Sequence, residues 1–256
     1  MQNDFCLPSG SLYVPGAEKD VERLVRLIQN RRKDIEGIVL TRDVHQVLDI
    51  AHPAFWHDRA GRNPRPFTVI YAEDLKQERW IPFVGKERAR MYLRRLENER
   101  ASVHTIWPEH CIDGSEGSAI VEGVMQAVRN WAKEGHFFRV IEKGAYPLSE
   151  HYGLFQAEVV WEDVPETWFN IPLLQELNLF QQIWIAGEAR SHCVAATISQ
   201  LTRFPEVIRK LVVLEDCMSP VSGEENRAEK IFEKARQMGA CFTTSTHLLA
   251  SKESRK

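Results

Sequence analysis

The chain has 256 residues, 43% of them hydrophobic and 27% charged, with a formal net charge of -3. That length can bury a core without staples, and the slightly acidic balance excludes the basic field that draws nucleic acid. No apolar run approaches the roughly 18 residues that span a bilayer, and five irregularly spaced cysteines without a Cys-x-x-Cys pair provide neither a disulfide framework nor a structural zinc site. The opening Met1-Gln2-Asn3-Asp4-Phe5-Cys6 is not a targeting peptide, so a reduced, cytoplasmic enzyme-sized domain is expected, with no nucleic-acid or membrane partner.

In chain order, Val21, Leu24, Val25 and Ile28 recur at helical spacing and predict an amphipathic helix over 17–33. The apolar run Gly37 to Thr41 predicts a buried strand. Residues 55–82, rich in Pro, Gly, Arg and Asn, read as a long insertion with a short strand at 68–72, a segment of the kind that forms a lid. Helices are predicted over 86–97 and 118–133, then a strand over 137–141. A strand over 183–186 precedes a helix that starts near Cys193. Then come a strand over 211–214, a helix over 224–238, an edge strand over 241–244 and a frayed tail over 251–256. Strands separated by helices imply right-handed crossovers and a mostly parallel sheet covered on both faces. Such sheets place their sites beyond the carboxyl ends of the strands.

Three chemically suggestive clusters follow strand ends. Asp43 and His45 follow the first strand, Lys143 the second and Cys193 the third. Asp43 and His45 are two apart, so both can face one divalent ion, with His110 as the candidate third ligand. His52 is a further imidazole, left out of the set because of its spacing. Alone, Asp-x-His also occurs as a turn cap. Cys193 lies where an apolar strand ends in Gly187, passes through a turn and enters a helix. There the dipole favours thiolate and free N–H groups can face an oxyanion. A buried structural cysteine fits the same local pattern. Lys143 fits a solvated surface lysine as well, and the adjacent His192 is expected to be solvated or behind the nucleophile rather than its base.

Taken together these residues resemble the nicotinamidase/pyrazinamidase branch of the isochorismatase-like cysteine hydrolases. The segments that carry the resemblance, in order, are Gln2 to Cys6 with Gly10-Ser11-Leu12, Asp43-Val44-His45, Trp107-Pro108-Glu109-His110-Cys111 with Gly114, Ser115 and Gly117, Lys143-Gly144, and Gly187 to Val194. The resemblance implies a three-layer α/β/α sandwich forming one domain over 1–256. It implies an amidase in which Cys193 attacks a carboxamide, assisted by Lys143, with the N–H groups of Ala189 and Cys193 as oxyanion hole. It also implies a cis peptide at Glu188–Ala189, a divalent metal (zinc, with iron or manganese as alternatives) on Asp43, His45 and His110, and Phe5 and Trp107 flanking a flat substrate ring. Ordinary core packing is the competing role for those two aromatics. The partner is a small carboxamide such as nicotinamide, and a homo-oligomer is left open.

The sequence departs from the family pattern in three places. The family's general-base aspartate would stand immediately before Met1, and Asp4 matches a different position. The resemblance therefore implies a chain truncated upstream, without the first and central strand. Glu188 and Arg190 put a charged pair into the nucleophile turn, expected to alter substrate choice. The third departure is the spacing to His52 and the insertion after it. Competing functions are a cysteine hydrolase of a carbamoyl or ureido compound, which the metal cluster opposes, and a non-catalytic scaffold.

Overall fold

A computed structural model describes residues 1–100 and 102–253. Helix Ala17–Arg31 buries Val21, Leu27 and Ile28, and helix Glu122–Ala132 buries Val124, Ala127, Val128 and Trp131. These two helices pack together on one face of a parallel strand pair, β1 (Ile38–Asp43) and its partner at Phe138–Lys143. Alternation then sorts the strand residues. Ile38, Leu40 and Phe138 join the helices just named, whereas Val39 and Ile141 point to the opposite core. That second core is built on helices Ile171–Leu177, Ala195–Leu201 and Glu229–Gln237. The result is the expected α/β/α layering.

Residues 55–82 hold their own secondary structure. β2 (Trp56–His57) pairs antiparallel with β4 (Ile81–Pro82), and β3 (Val69–Ile70) pairs antiparallel with β5 (His104–Thr105). Phe55, Trp56, Ile70 and Leu75 form a separate apolar cluster with Tyr92, Leu93 and Leu96 of helix Lys86–Arg100. The strand expected over 68–72 stops at Ile70 because Asp74 accepts the Tyr71 N–H at 2.7 Å and opens a short helix at Ala72.

The remaining parallel strands are β6 (Phe138–Lys143), β7 (Ile183–Ile185), β8 (Leu211–Leu214) and β9 (Cys241–Thr243). Among the described residues the parallel strands pair as β1–β6 and β7–β8–β9. Among the described residues β1 pairs only with β6, and β7 only with β8. All four residues of β8 are buried, but Ile38 to Arg42 and Ile183 to Ile185 are half-buried. A strand paired on one side keeps part of its surface open, however apolar its sequence. At the end of β1 the Gln2 side chain substitutes for a ladder partner: its Nε2 donates to Asp43 O at 2.8 Å and its Oε1 accepts from Asp43 N at 2.7 Å.

Several boundaries shift for local reasons. The helix expected from 118 begins at Glu122, because Ser118 Oγ donates to Ser115 O and Gln2 bridges Ile120. The helix expected from 224 begins at Glu229 after turns at 221–228. Helix Ser245–Glu253 takes in 251–253, the first half of the tail expected over 251–256, and 254–256 lie outside the described residues. Among the described residues no helix is long and apolar enough to cross a membrane.

Candidate active site

Parallel register brings the first two clusters together. Asp43 and Lys143 are the last residues of β1 and β6 and are direct register partners. Both are buried, at 7% and 6% exposure, so Lys143 is no surface lysine. Its Nζ is ion-paired with Asp43, donates to His151 O at 2.8 Å and lies 3.7 Å from Cys193 Sγ. Burial alone would raise the Asp43 pKa, but the charges of Lys143 and His45 outweigh it and hold the carboxyl below its ordinary value. Burial would likewise discharge Lys143, and Asp43 and Cys193 reverse that and keep it a cation.

Asp43, His45 and His110 are all buried, and one donor atom of each lies within 4.8 Å of the others. His45 is set by backbone bonds from His45 N to Cys111 O (3.0 Å) and from Asp113 N to His45 O (2.9 Å). Its Nδ1 lies 2.9 Å from Asp49, which leaves Nε2 as the nitrogen for a metal. Burial lowers the His45 pKa, but Asp49 carries it up to about 9. Burial and neighbouring imidazoles push His110 and His52 down to about 3, so both are the neutral form that ligates. One carboxylate and two imidazoles in a buried pocket fit a divalent metal ion. The His52 ring is 5.1 Å from that of His45, but its Nε2 is engaged with His110 Nδ1 at 3.2 Å, and it stands outside the donor set.

The nucleophile turn carries the cis peptide Glu188–Ala189 that the resemblance implies, after Gly187 at φ 138°. Cys193 does not open an α-helix. It lies within a π-helical turn, Arg190–Val194, that leads into helix Ala195–Leu201. Desolvation dominates at Cys193 and pushes its thiol up to about 11 despite the cation of Lys143. The thiolate expected from a helix terminus is thus not the resting form, because the dipole of one turn is weaker than burial. Glu188 and Arg190 do not form a charged pair. Arg190 turns out to Glu229, at 2.7 Å, and Glu188 turns in towards Ser219 and Asp20.

Phe5 lies against the metal cluster, its ring 5.5 Å from that of His110. Trp107 lies against the nucleophile turn, its ring 5.0 Å from His192 and its Nε1 donating to Tyr152 OH at 2.8 Å. His192 is buried rather than solvated, its Nδ1 2.9 Å from Ser191 Oγ. Residues that sequence reasoning missed are Asp49, whose signal is its place four residues after His45, Tyr152, and Glu150. The last is buried near Lys143 and His45, and burial raises its carboxyl to about 7. No local pattern marks Tyr152 or Glu150.

No family model matches the chain. A nicotinamidase of Saccharomyces cerevisiae is 26% identical over 242 residues, 92% of each chain. The crystal structure of the yeast nicotinamidase bound to the inhibitor nicotinaldehyde matches 95% of this chain and 96% of that one, with 22% identity and a TM-score of 0.66. A pyrazinamidase of Pyrococcus horikoshii in complex with zinc matches 95% and 94%, with 18% identity and a TM-score of 0.54. The fold is that of the nicotinamidase/isochorismatase-like hydrolases.

Proposed function

From this fold and this cluster we propose a metal-assisted cysteine amidohydrolase that deamidates nicotinamide to nicotinate and ammonia, a step of pyridine nucleotide salvage. The observation that carries the reading is Lys143, which touches the thiol of Cys193 on one side and Asp43 of the metal cluster on the other. Nucleophile and metal pocket are thereby one site. The sequence likeness to a nicotinamidase over 92% of each chain supports the substrate class.

Cys193 Sγ attacks the carboxamide carbon, the C–N bond breaks, and the thiol proton passes to the leaving nitrogen, which departs as ammonia. Water then hydrolyses the thioester to the acid and the free thiol. The N–H groups of Ala189 and Cys193 receive the developing oxyanion. Lys143 holds positive charge against both sulfur and carboxylate, and Phe5 and Trp107 border the ring. Zinc, or iron or manganese in its place, held by Asp43, His45 and His110 would supply a Lewis-acid contact for the pyridine nitrogen. Residues 55–82 are read as an insertion in a single domain. A carbamoyl or ureido substrate has no ring nitrogen for such a contact and is disfavoured.

The test uses nicotinaldehyde, whose carbonyl forms a thiohemiacetal with an active cysteine. The protein, with any encoded residues before Met1 retained, should bind it and release ammonia from nicotinamide, and Cys193→Ala should do neither. Undiminished turnover in Cys193→Ala removes the nucleophile assignment.

A further inference from the structure

Glu188 is a carboxyl group in a place that punishes charge. It is 6% exposed, and Asp20, on helix Ala17–Arg31, is 3% exposed. Ser219 lies between them: its N–H donates to Glu188 Oε2 at 3.0 Å and its hydroxyl donates to Asp20 Oδ2 at 2.5 Å. Arg23 completes Asp20, with NH1 donating to Oδ1 at 3.1 Å, and also donates to Asp216 O. The second Glu188 oxygen, Oε1, is buried and receives no donor among the described residues. A buried carboxylate oxygen without a donor, beside a second carboxylate, costs several kcal/mol. A proton carried by Glu188 itself removes that cost, because the acid O–H then donates to Asp20.

We propose that Glu188 is a positioning residue of the nucleophile turn: held as the neutral acid, it donates to Asp20, accepts from Ser219, and so fixes the cis peptide Glu188–Ala189, whose N–H is the proposed oxyanion donor. The same turn is fastened to the loop after β8 at three more points. These are Gly187 N to Cys217 O (3.1 Å), Arg190 N to Ser219 O (2.9 Å) and Val221 N to Ser191 Oγ (3.0 Å). Glu188 is the one fastening that can lose its donor through titration. The groups facing it are Asp20 from the helix, itself paired with Arg23, the thiol of Cys6, and Ser219 from the loop. Burial raises the carboxyl well above its ordinary value, and Asp20 raises it further. Cys6, pushed up to about 12 by burial, stays uncharged.

The sign follows from a folded value above the unfolded one. The folded protein binds the extra proton, so stability falls as pH rises from the ordinary glutamate range towards the raised value. Glu188→Gln keeps a donor for Asp20 and an acceptor for Ser219 but cannot ionise.

The test compares wild type, Glu188→Gln and Glu188→Ala. Infrared spectra at neutral pH should show the carbonyl stretch of a protonated carboxylic acid that Glu188→Gln removes. Thermal midpoints scanned over roughly pH 5 to 9 should fall less steeply in Glu188→Gln than in wild type. Glu188→Ala should lower kcat for nicotinamide about tenfold or more with little change in KM, and Glu188→Gln should restore most of it. The role in catalysis rests on Cys193 as nucleophile, and the spectral and thermal results do not. If wild type releases no ammonia, iodoacetamide labelling of Cys193 replaces kcat as the readout of turn geometry. Glu150, raised to about 7, contributes acid signal to both proteins, so an acid band of equal intensity in wild type and Glu188→Gln, or equal pH slopes, overturns the neutral acid. Unchanged kcat and labelling in a folded Glu188→Ala overturn the positioning role.

Discussion

Lys143 shows how one buried cation can serve two anions. Its ion pair with Asp43 and its contact with Cys193 lower the pKa of both partners. Asp43, with a depressed folded value, contributes stability that is present above the ordinary aspartate value and lost as pH falls through the folded one. Lys143→Met leaves a buried carboxylate unpaired and should cost about 3–5 kcal/mol of folding stability, read by urea denaturation. The same variant should push the Cys193 thiol above its value of about 11, so that at any lower pH less thiolate is present and alkylation of Cys193 slows. Faster alkylation would mean that Lys143 does not act on the sulfur. Asp43, His45, Lys143 and Cys193 were legible in the sequence because each lies at or beyond a strand end, where parallel topology gathers side chains. The thiol's raised pKa was not legible, because it depends on what covers the sulfur rather than on neighbours in sequence. Tyr152 and His192 reach Trp107 through tertiary packing, which the local pattern does not encode.

The Trp107–Gly117 loop is ordered by a carboxylate from the start of the chain. Asp4 Oδ2 accepts the Cys111 N–H at 2.7 Å, and Oδ1 accepts the Ser11 N–H at 3.1 Å. A Cβ on Gly117 would lie 2.1 Å from Asp4 Oδ2, closer than real contacts allow. Gly117→Ala should therefore displace Asp4, loosen Cys111 and its neighbour His110, and destabilise the fold by about 1–3 kcal/mol. Metal stoichiometry by elemental analysis should fall with it. Full occupancy in that variant would detach the loop from the metal pocket. Strand and helix positions along this stretch and elsewhere were readable from periodicity to within a few residues. The starts at Glu122 and Glu229 were not, because contacts with distant segments hold the preceding turns, Gln2 on Ile120 for the first and Arg190 and Ser191 on Glu225 and Val221 for the second. The π-helical turn at Cys193 is likewise invisible to a pattern that fixes only strand, turn and helix.

Across the whole molecule the layering was legible in the alternation of strands and helices. Apolar runs state that a strand is covered on its faces, and say nothing of what lies along its edges. Here β1 and β7 each show one ladder of N–H and C=O groups that no described strand takes up. The metal pocket and Lys143 hang from the β1–β6 pair, and the nucleophile turn hangs from β7, so the site joins two pieces of sheet. Amide hydrogen exchange gives that division a measurable form. Backbone N–H groups of 211–214, whose strand is paired on both sides, should exchange with solvent deuterium only on loss of the core. A ligand that bridges Lys143 and Cys193 would tie the two pieces together, and its binding should slow exchange in β1 and β7 together. The protein's resistance to unfolding would then depend on whether its site is filled.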